Sequence, residues 1–106
     1  MTCYAIGHLR QVEMGSGIIA YVEGIDATLA PFQRRFIILG GEKQMLEGQF
    51  QGDLIVIAFP DRQCAEAWYH SPAYQALLPR RTEHSEGEVF LLEGVDADHK
   101  ATDVLR

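Results

Sequence analysis

The sequence predicts a single α+β domain in the order β-α-β-β-α-β. Three observations point there. A continuous apolar run, Leu54 to Phe59, is rich in β-branched residues and too short for an ordinary helix. A helical stripe follows it, broken at Ser71-Pro72. The first ten or so residues alternate small and large side chains with a period of two.

In the alternating segment, residues 3–12, Cys3, Ala5, Gly7 and Leu9 fall on one side and Tyr4, Ile6, His8 and Arg10 on the other. The small side suits closely packed helices. The large side begins apolar and becomes charged, which places His8 and Arg10 near the strand's end. Gly15-Ser16-Gly17 is a loop and a candidate helix cap. Ile18, Val22, Ile25 and Leu29 then recur at helical spacing, with Ile19 and Tyr21 beside them, so a helix is predicted from Gly17 to about Ala30. Gly24 weakens that helix by about 1 kcal/mol relative to alanine, and close approach to a strand is one reason to keep it.

Arg35 to Leu39 reads as a second strand, ended by Gly40-Gly41. Gln44 to Gly48 reads as a short strand or an extended edge. Leu54 to Phe59 lacks polar alternation, which predicts a strand covered on both faces. Pro60 ends its pairing, and the Asp61 carboxylate caps the next helix, with Cys64, Ala65, Trp68 and Tyr69 as its apolar stripe. Ser71 caps a second segment with Pro72 at its first position. Tyr74, Leu77 and Leu78 face inward, and Pro79 limits its length. Gly87 opens a last strand, Glu88 to Glu93. Residues 1–95 form the domain, and 96–106 form a polar tail, loose or a short terminal helix.

This order is the ferredoxin-like split βαβ pattern, with both helices on one face of an antiparallel sheet. Strands apolar on both sides leave the second face in need of a cover, and no remaining segment supplies one. The expected cover is a second copy, sheet against sheet, in an isologous homodimer.

At 106 residues the chain can bury roughly 60–68% of its unfolded surface. With 47% hydrophobic and 23% charged residues its composition is that of an ordinary globular protein. A net charge of −6 argues against a general nucleic-acid or anionic-membrane surface. The apolar runs are too short to span a bilayer, and the opening residues carry neither a basic segment nor an apolar signal core, so a cytoplasmic location is expected. Cys3 and Cys64 are isolated and expected to be reduced thiols.

At RFIILGG (35–41), LEG (46–48), VIAFPD (56–61) and above all AEAWYHSPAYQ (65–75), the chain resembles the small bacterial proteins grouped as domain of unknown function 1330, in the dimeric α/β-barrel superfamily. The resemblance covers nearly all of residues 3–95. Arg81 sits where that family usually places an arginine. The chain departs from the pattern at Gln33-Arg34, where two glycines are usual, which leaves the shape of the turn after the first helix open. The resemblance implies a ferredoxin-like fold and a dimer, and no particular reaction. The wider superfamily holds cofactor-free monooxygenases, haem-degrading enzymes, isomerases and binding modules.

Candidate functional residues fall into groups. His8 with Arg10 combines a titratable imidazole and a fixed cation, suited to binding an anion and moving a proton; a solvated strand end reads the same way. Trp68, Tyr69 and Tyr74 are pocket-lining or core aromatics. Arg80, Arg81 and His84 suit bidentate capture of a carboxylate or phosphate, or pairing with Glu83 or Glu86. Asp26 is a candidate base or the polar edge of its helix. Arg35 joins His8, Arg10, Trp68, Tyr69, Tyr74 and Arg81 as a candidate ligand contact. The four histidines have no metal-ligand spacing, no phosphate-loop or nucleophile-elbow pattern occurs, and no metal or cofactor is expected. Cys64, on an apolar helix face, reads as packing.

Three functions are compatible with this. The favoured one is a homodimeric domain binding a small organic or acidic metabolite between sheet and helices or at the dimer seam. The second is a cofactor-free enzyme, a monooxygenase or a proton-transfer isomerase, with His8 or Asp26 as base. The third is a structural or regulatory dimerisation module.

Overall fold

Small side chains on one side of the first strand let helices settle directly onto the sheet. In a computed structural model, which describes residues 1–105, β1 (Cys3–Val12) sits inside a four-stranded sheet of order β2-β3-β1-β4. Every neighbouring pair is antiparallel. β2 is Arg35–Leu39, β3 is Asp53–Phe59 and β4 is Ser85–Glu93. The helices are α1 (Ser16–Leu29), α2 (Arg62–Tyr69), α3 (Pro72–Leu77) and α4 (Pro79–Thr82), and short 3₁₀ turns cover Ala30–Phe32 and Ala101–Leu105. This is the ferredoxin-like α+β arrangement.

The alternation of β1 works as expected. Cys3 and Ala5 are buried against Ile57 and Phe59 of β3, Leu29 of α1, Ala65 and Trp68 of α2, and Tyr74 of α3. Phe59 and Trp68 stack with ring centres 5.5 Å apart. Trp68 donates from Nε1 to Thr28 Oγ1 at 3.0 Å, and Thr28 in turn donates to the Ile25 carbonyl at 2.7 Å, so the indole N–H is satisfied without leaving the core. Both caps form: Asp61 accepts from Cys64 N–H at 2.8 Å and Ser71 from Tyr74 N–H at 3.2 Å.

Several expectations need correcting. Gln44 to Gly48 is not a strand; the whole connection from β2 to β3 lies outside the sheet. Helix α1 starts at Ser16 with Gly15 as its N-cap, so no side chain caps it. Gly24 faces α3 rather than a strand: a Cβ there would lie 3.2 Å from Leu77 Cδ1. β4 begins at Ser85, not after Gly87, and the β1 pairing shifts register between Leu9 and Gln11 to accommodate it. Pro79 does not end helical structure. Leu78 keeps right-handed helical angles (φ −52°, ψ −43°), and the chain runs on into α4, which carries Arg81 inward.

The other sheet face pairs Tyr4, Ile6 and His8 with Ala58, Val56 and Leu54 on one side and Leu92, Phe90 and Glu88 on the other. Phe90, Leu92 and Ile38 are 45%, 53% and 39% exposed. No helix among the described residues is long and apolar enough to cross a membrane.

Candidate functional site

Because β1 presents Ala5 and Gly7 to the helices, the sheet under the middle of α1 has little side-chain bulk. The result is a cavity of about 420 Å³ between sheet and helices, within the range of small-molecule sites. Its floor is Gly7, flanked by Ile55 and Val89; its roof is the α1 face bearing Ile18, Tyr21, Val22 and Ile25. Gly7 is the thin point: a Cβ there would still be 3.8 Å from Val89 Cγ2 and 3.9 Å from Ile55 Cβ.

Polar groups enter this apolar space at two places. At the first, Arg81 lies beside the phenols of Tyr21 and Tyr74. The two hydroxyls are 2.7 Å apart, and the Arg81 guanidinium carbon is 5.7 Å from the Tyr21 ring centre. Arg81 is only 8% exposed; it pairs with no carboxylate among the described residues, and its Nε is buried with no hydrogen-bond partner there. Burial opposes its charge, but the neighbouring Tyr74 and Tyr21 oxygens favour it, and the net shift is upward. Burial, and then Tyr74, push the Tyr21 phenol well above its ordinary value. The cluster therefore sets a fixed positive charge beside two phenols that can donate or accept.

At the second, Asp26 on α1 and Arg34 just before β2 line the cavity 3.6 Å from each other. Arg34 leans on the Phe36 ring at 5.9 Å, and its Nε is likewise buried and unpartnered. Arg34 reaches this place because Gln33 takes left-handed angles (φ 54°, ψ 41°), a region where glycine is at ease.

Of the residues singled out from sequence, Trp68, Tyr74, Arg81 and Asp26 all line this cavity. Tyr69 does not; it packs behind them, 6.2 Å from Trp68 and 5.5 Å from Tyr74 between ring centres. His8, Arg10 and Arg35 are on the opposite face of the sheet. His8 Nε2 lies 2.7 Å from the Gln51 carbonyl and its ring stacks on Phe50 at 4.4 Å. Arg10 hydrogen-bonds Glu88, holding that carboxyl below its usual range. Arg35 is exposed, in register with Ala58. His84 leaves the Arg81 cluster altogether and pairs with Glu13 at 3.6 Å, while Arg80 is exposed. Neither thiol is activated: burial pushes Cys3 up, and the contact with Asp61 pushes Cys64 up.

Three site residues escaped the sequence. Thr28, which orients Trp68, gave no signal. Tyr21 was visible only as an aromatic beside an aliphatic stripe. Arg34 was visible as a charged residue at a tight turn.

The fold and cavity define a small ferredoxin-like α+β protein with a pocket between sheet and helices. The chain belongs to the family described as domain of unknown function 1330, whose sequence profile matches residues 2–95. No curated protein matches it. Among solved structures it is similar to a protein of unknown function from Rhodopseudomonas palustris, with a TM-score of 0.65 and 14% identity over 90% of this chain and 83% of that one. It is also similar to a dimeric ferredoxin-like protein of unknown function from Jannaschia sp., with a TM-score of 0.64 and 16% identity over 89% of this chain and 100% of that one. SnoaB, a cofactor-independent oxygenase from Streptomyces nogalater, is similar at a TM-score of 0.55 and 8% identity, over 93% and 96% of the two chains. At these identities the likeness is one of fold alone.

Proposed function

We propose that this protein is a cytoplasmic homodimer that binds a small, flat, largely apolar anion in the cavity between sheet and helices. The observation that carries the reading is Arg81: a buried guanidinium with no acid partner among the described residues, at the wall of an otherwise apolar cavity. Burying a charge without a counter-charge is costly, and an anionic ligand supplies that counter-charge. Tyr21 and Tyr74 add to it. Their mutual hydrogen bond uses one hydroxyl proton, which leaves the other free to donate to the same anion.

Binding fits better than cofactor-free proton abstraction. The inner cluster holds a guanidinium and two phenols rather than a base, Asp26 is already paired with Arg34, and His8 lies across the sheet. The dimer rests on the apolar open face and on the dimeric state of the Jannaschia protein. In such a dimer His8, Arg10 and Arg35 lie on the sheet face turned toward the partner.

Calorimetric titration with 2-naphthoate and its methyl ester tests the pocket. The carboxylate is expected to bind at least about tenfold more tightly than the ester, the value of one charge-assisted hydrogen bond. Arg81→Met is expected to erase that difference in a protein that circular dichroism shows to be folded, because it keeps the apolar stem and removes the charge. Equal binding of acid and ester by the native protein, or no binding of either, would overturn the reading.

A further inference from the structure

The anion site occupies only one end of the cavity. Along α1, Tyr21 and Asp26 are five residues apart, about 7–8 Å of helix axis. The wall between them is hydrocarbon: Val22 and Ile25 above, Gly7 and Ile55 below. At the far end the chemistry changes. Asp26 supplies an acceptor, Arg34 supplies donors, and together they are close to neutral, 3.6 Å apart. Arg34 Nε–H is buried there without a partner.

From this layout we infer that the Asp26–Arg34 pair is a second recognition point, specific for an uncharged hydroxyl or similar donor–acceptor group at the end of the ligand opposite its anion. The inference rests on the proposed anion site and adds the class of molecule it takes: a rigid, planar hydroxy-acid whose acidic and hydroxyl ends are separated by roughly the length of two fused rings. Each end of the cavity rejects the wrong group. At the end formed by Arg81, Tyr21 and Tyr74 the fixed positive charge favours an anion over a neutral hydroxyl, because a charge-assisted hydrogen bond is the stronger. The Asp26 carboxylate repels a second anion. A ligand with anions at both ends is therefore disfavoured although two arginines line the cavity.

The same reasoning gives the pair a signature that a structural salt bridge would not show. Removing the Asp26 charge leaves Arg34 a free cation, so the selectivity of that end should invert from hydroxyl to carboxylate. The Asp26 side chain is 69% exposed, so Asp26→Asn is not expected to disturb the fold.

Calorimetry with three probes on the native protein and on Asp26→Asn tests this: 2-naphthoate, 6-hydroxy-2-naphthoate and 2,6-naphthalenedicarboxylate. The native protein is expected to bind the hydroxy-acid about tenfold more tightly than 2-naphthoate, the worth of one satisfied buried hydrogen-bonding group, and the diacid no better than 2-naphthoate. Measured against its own affinity for 2-naphthoate, Asp26→Asn is expected to lose most of the hydroxyl increment and to prefer the diacid by about tenfold. If 2-naphthoate binds through Arg81 but the hydroxyl adds nothing, or if the diacid preference fails to appear in Asp26→Asn, the second recognition point is wrong while the anion site stands. If 2-naphthoate itself does not bind, both fall.

Discussion

The hydroxyls of Tyr21 and Tyr74, 53 positions apart in the chain, meet at 2.7 Å and tie α1 to α3 across the inner end of the cavity. Tyr74 is 1% exposed, and the Tyr21 phenol is held well above its ordinary value, by burial first and by Tyr74 second. The folded protein thus keeps a proton on Tyr21 that the unfolded chain releases near pH 10, roughly the ordinary tyrosine value. The contribution of this group is complete below that pH and is lost as pH rises above it toward the folded value, because the unfolded state then binds fewer protons. Urea denaturation at a series of pH values should show stability falling above about pH 10. Tyr21→Phe should cost about 1 kcal/mol at neutral pH and flatten that fall. An unchanged alkaline slope in the variant would assign it elsewhere.

Gly7 is the floor of the cavity, and the space above it is usable. A valine there meets Val89 and Ile55 at ordinary contact distances at its Cβ and suits a strand better than glycine. Its two methyls then project into the ligand volume. Gly7→Val is expected to leave thermal stability equal or slightly raised while weakening 2-naphthoate binding at least about tenfold, the scale of a steric clash of 1–2 kcal/mol. Loss of the fold would show that the strand, not the cavity, requires glycine.

Gln33 carries left-handed angles that cost a residue with a Cβ about 1–2 kcal/mol. Glycine removes that cost but adds unfolded-chain entropy of roughly 0.5–1 kcal/mol. Gln33→Gly should therefore raise stability by about 0.5–1 kcal/mol in chemical denaturation. Arg34 should stay in place and ligand selectivity should not change. A loss of stability would mean that the glutamine side chain contributes more than its backbone costs.

The elements were legible where one-dimensional patterns control them. Period-two alternation placed β1 and its small face. Asp61, Ser71 and Pro72 placed two helix starts, since capping is a short-range event between neighbouring residues. Gln44 to Gly48 reads as a strand because Met45 and Leu46 lend it a strand's apolarity, yet Met45 is 47% and Leu46 87% exposed; nothing local says that an apolar residue will stay outside. Helix α4 was missed because the bias of a residue before proline is overridden at Leu78 by packing. The site was half legible. Trp68, Tyr74, Asp26 and Arg81 could be named, and strand parity put His8 and Arg10 on the face away from the helices. They shared one group of candidates because the sequence leaves open whether a pocket lies between sheet and helices or at a dimer seam. The Tyr21–Tyr74 and Asp26–Arg34 meetings depend on tertiary contact and leave no spacing signature.

The open sheet face carries the remaining prediction. Phe90 and Leu92 on β4 and Ile38 on β2 are 45%, 53% and 39% exposed around a nearly buried Val56. A contiguous apolar surface of this kind is rare on a monomer. A second copy related by a two-fold axis brings the same residues from both sides and leaves the polar end formed by His8, Arg10 and Glu88 toward the rim, where water reaches it. Phe90 lies opposite Ile6 near the centre of the patch, the position at which truncation costs most. Phe90→Lys removes an aromatic anchor and places two like charges near one another across the axis. It should weaken dimerisation by about 2 kcal/mol or more, roughly thirtyfold in Kd, yet leave the monomer fold unharmed because the side chain makes no part of the helix-side core. Light scattering on a size-exclusion column checks both halves. The native protein should elute as a dimer at micromolar concentration and the variant should shift toward the monomer, with unchanged circular dichroism. A native monomer would mean that the exposed face is tolerated as it stands. The sheet–helix cavity, built within one copy, would survive that result, and His8, Arg10 and Arg35 would then be ordinary surface residues.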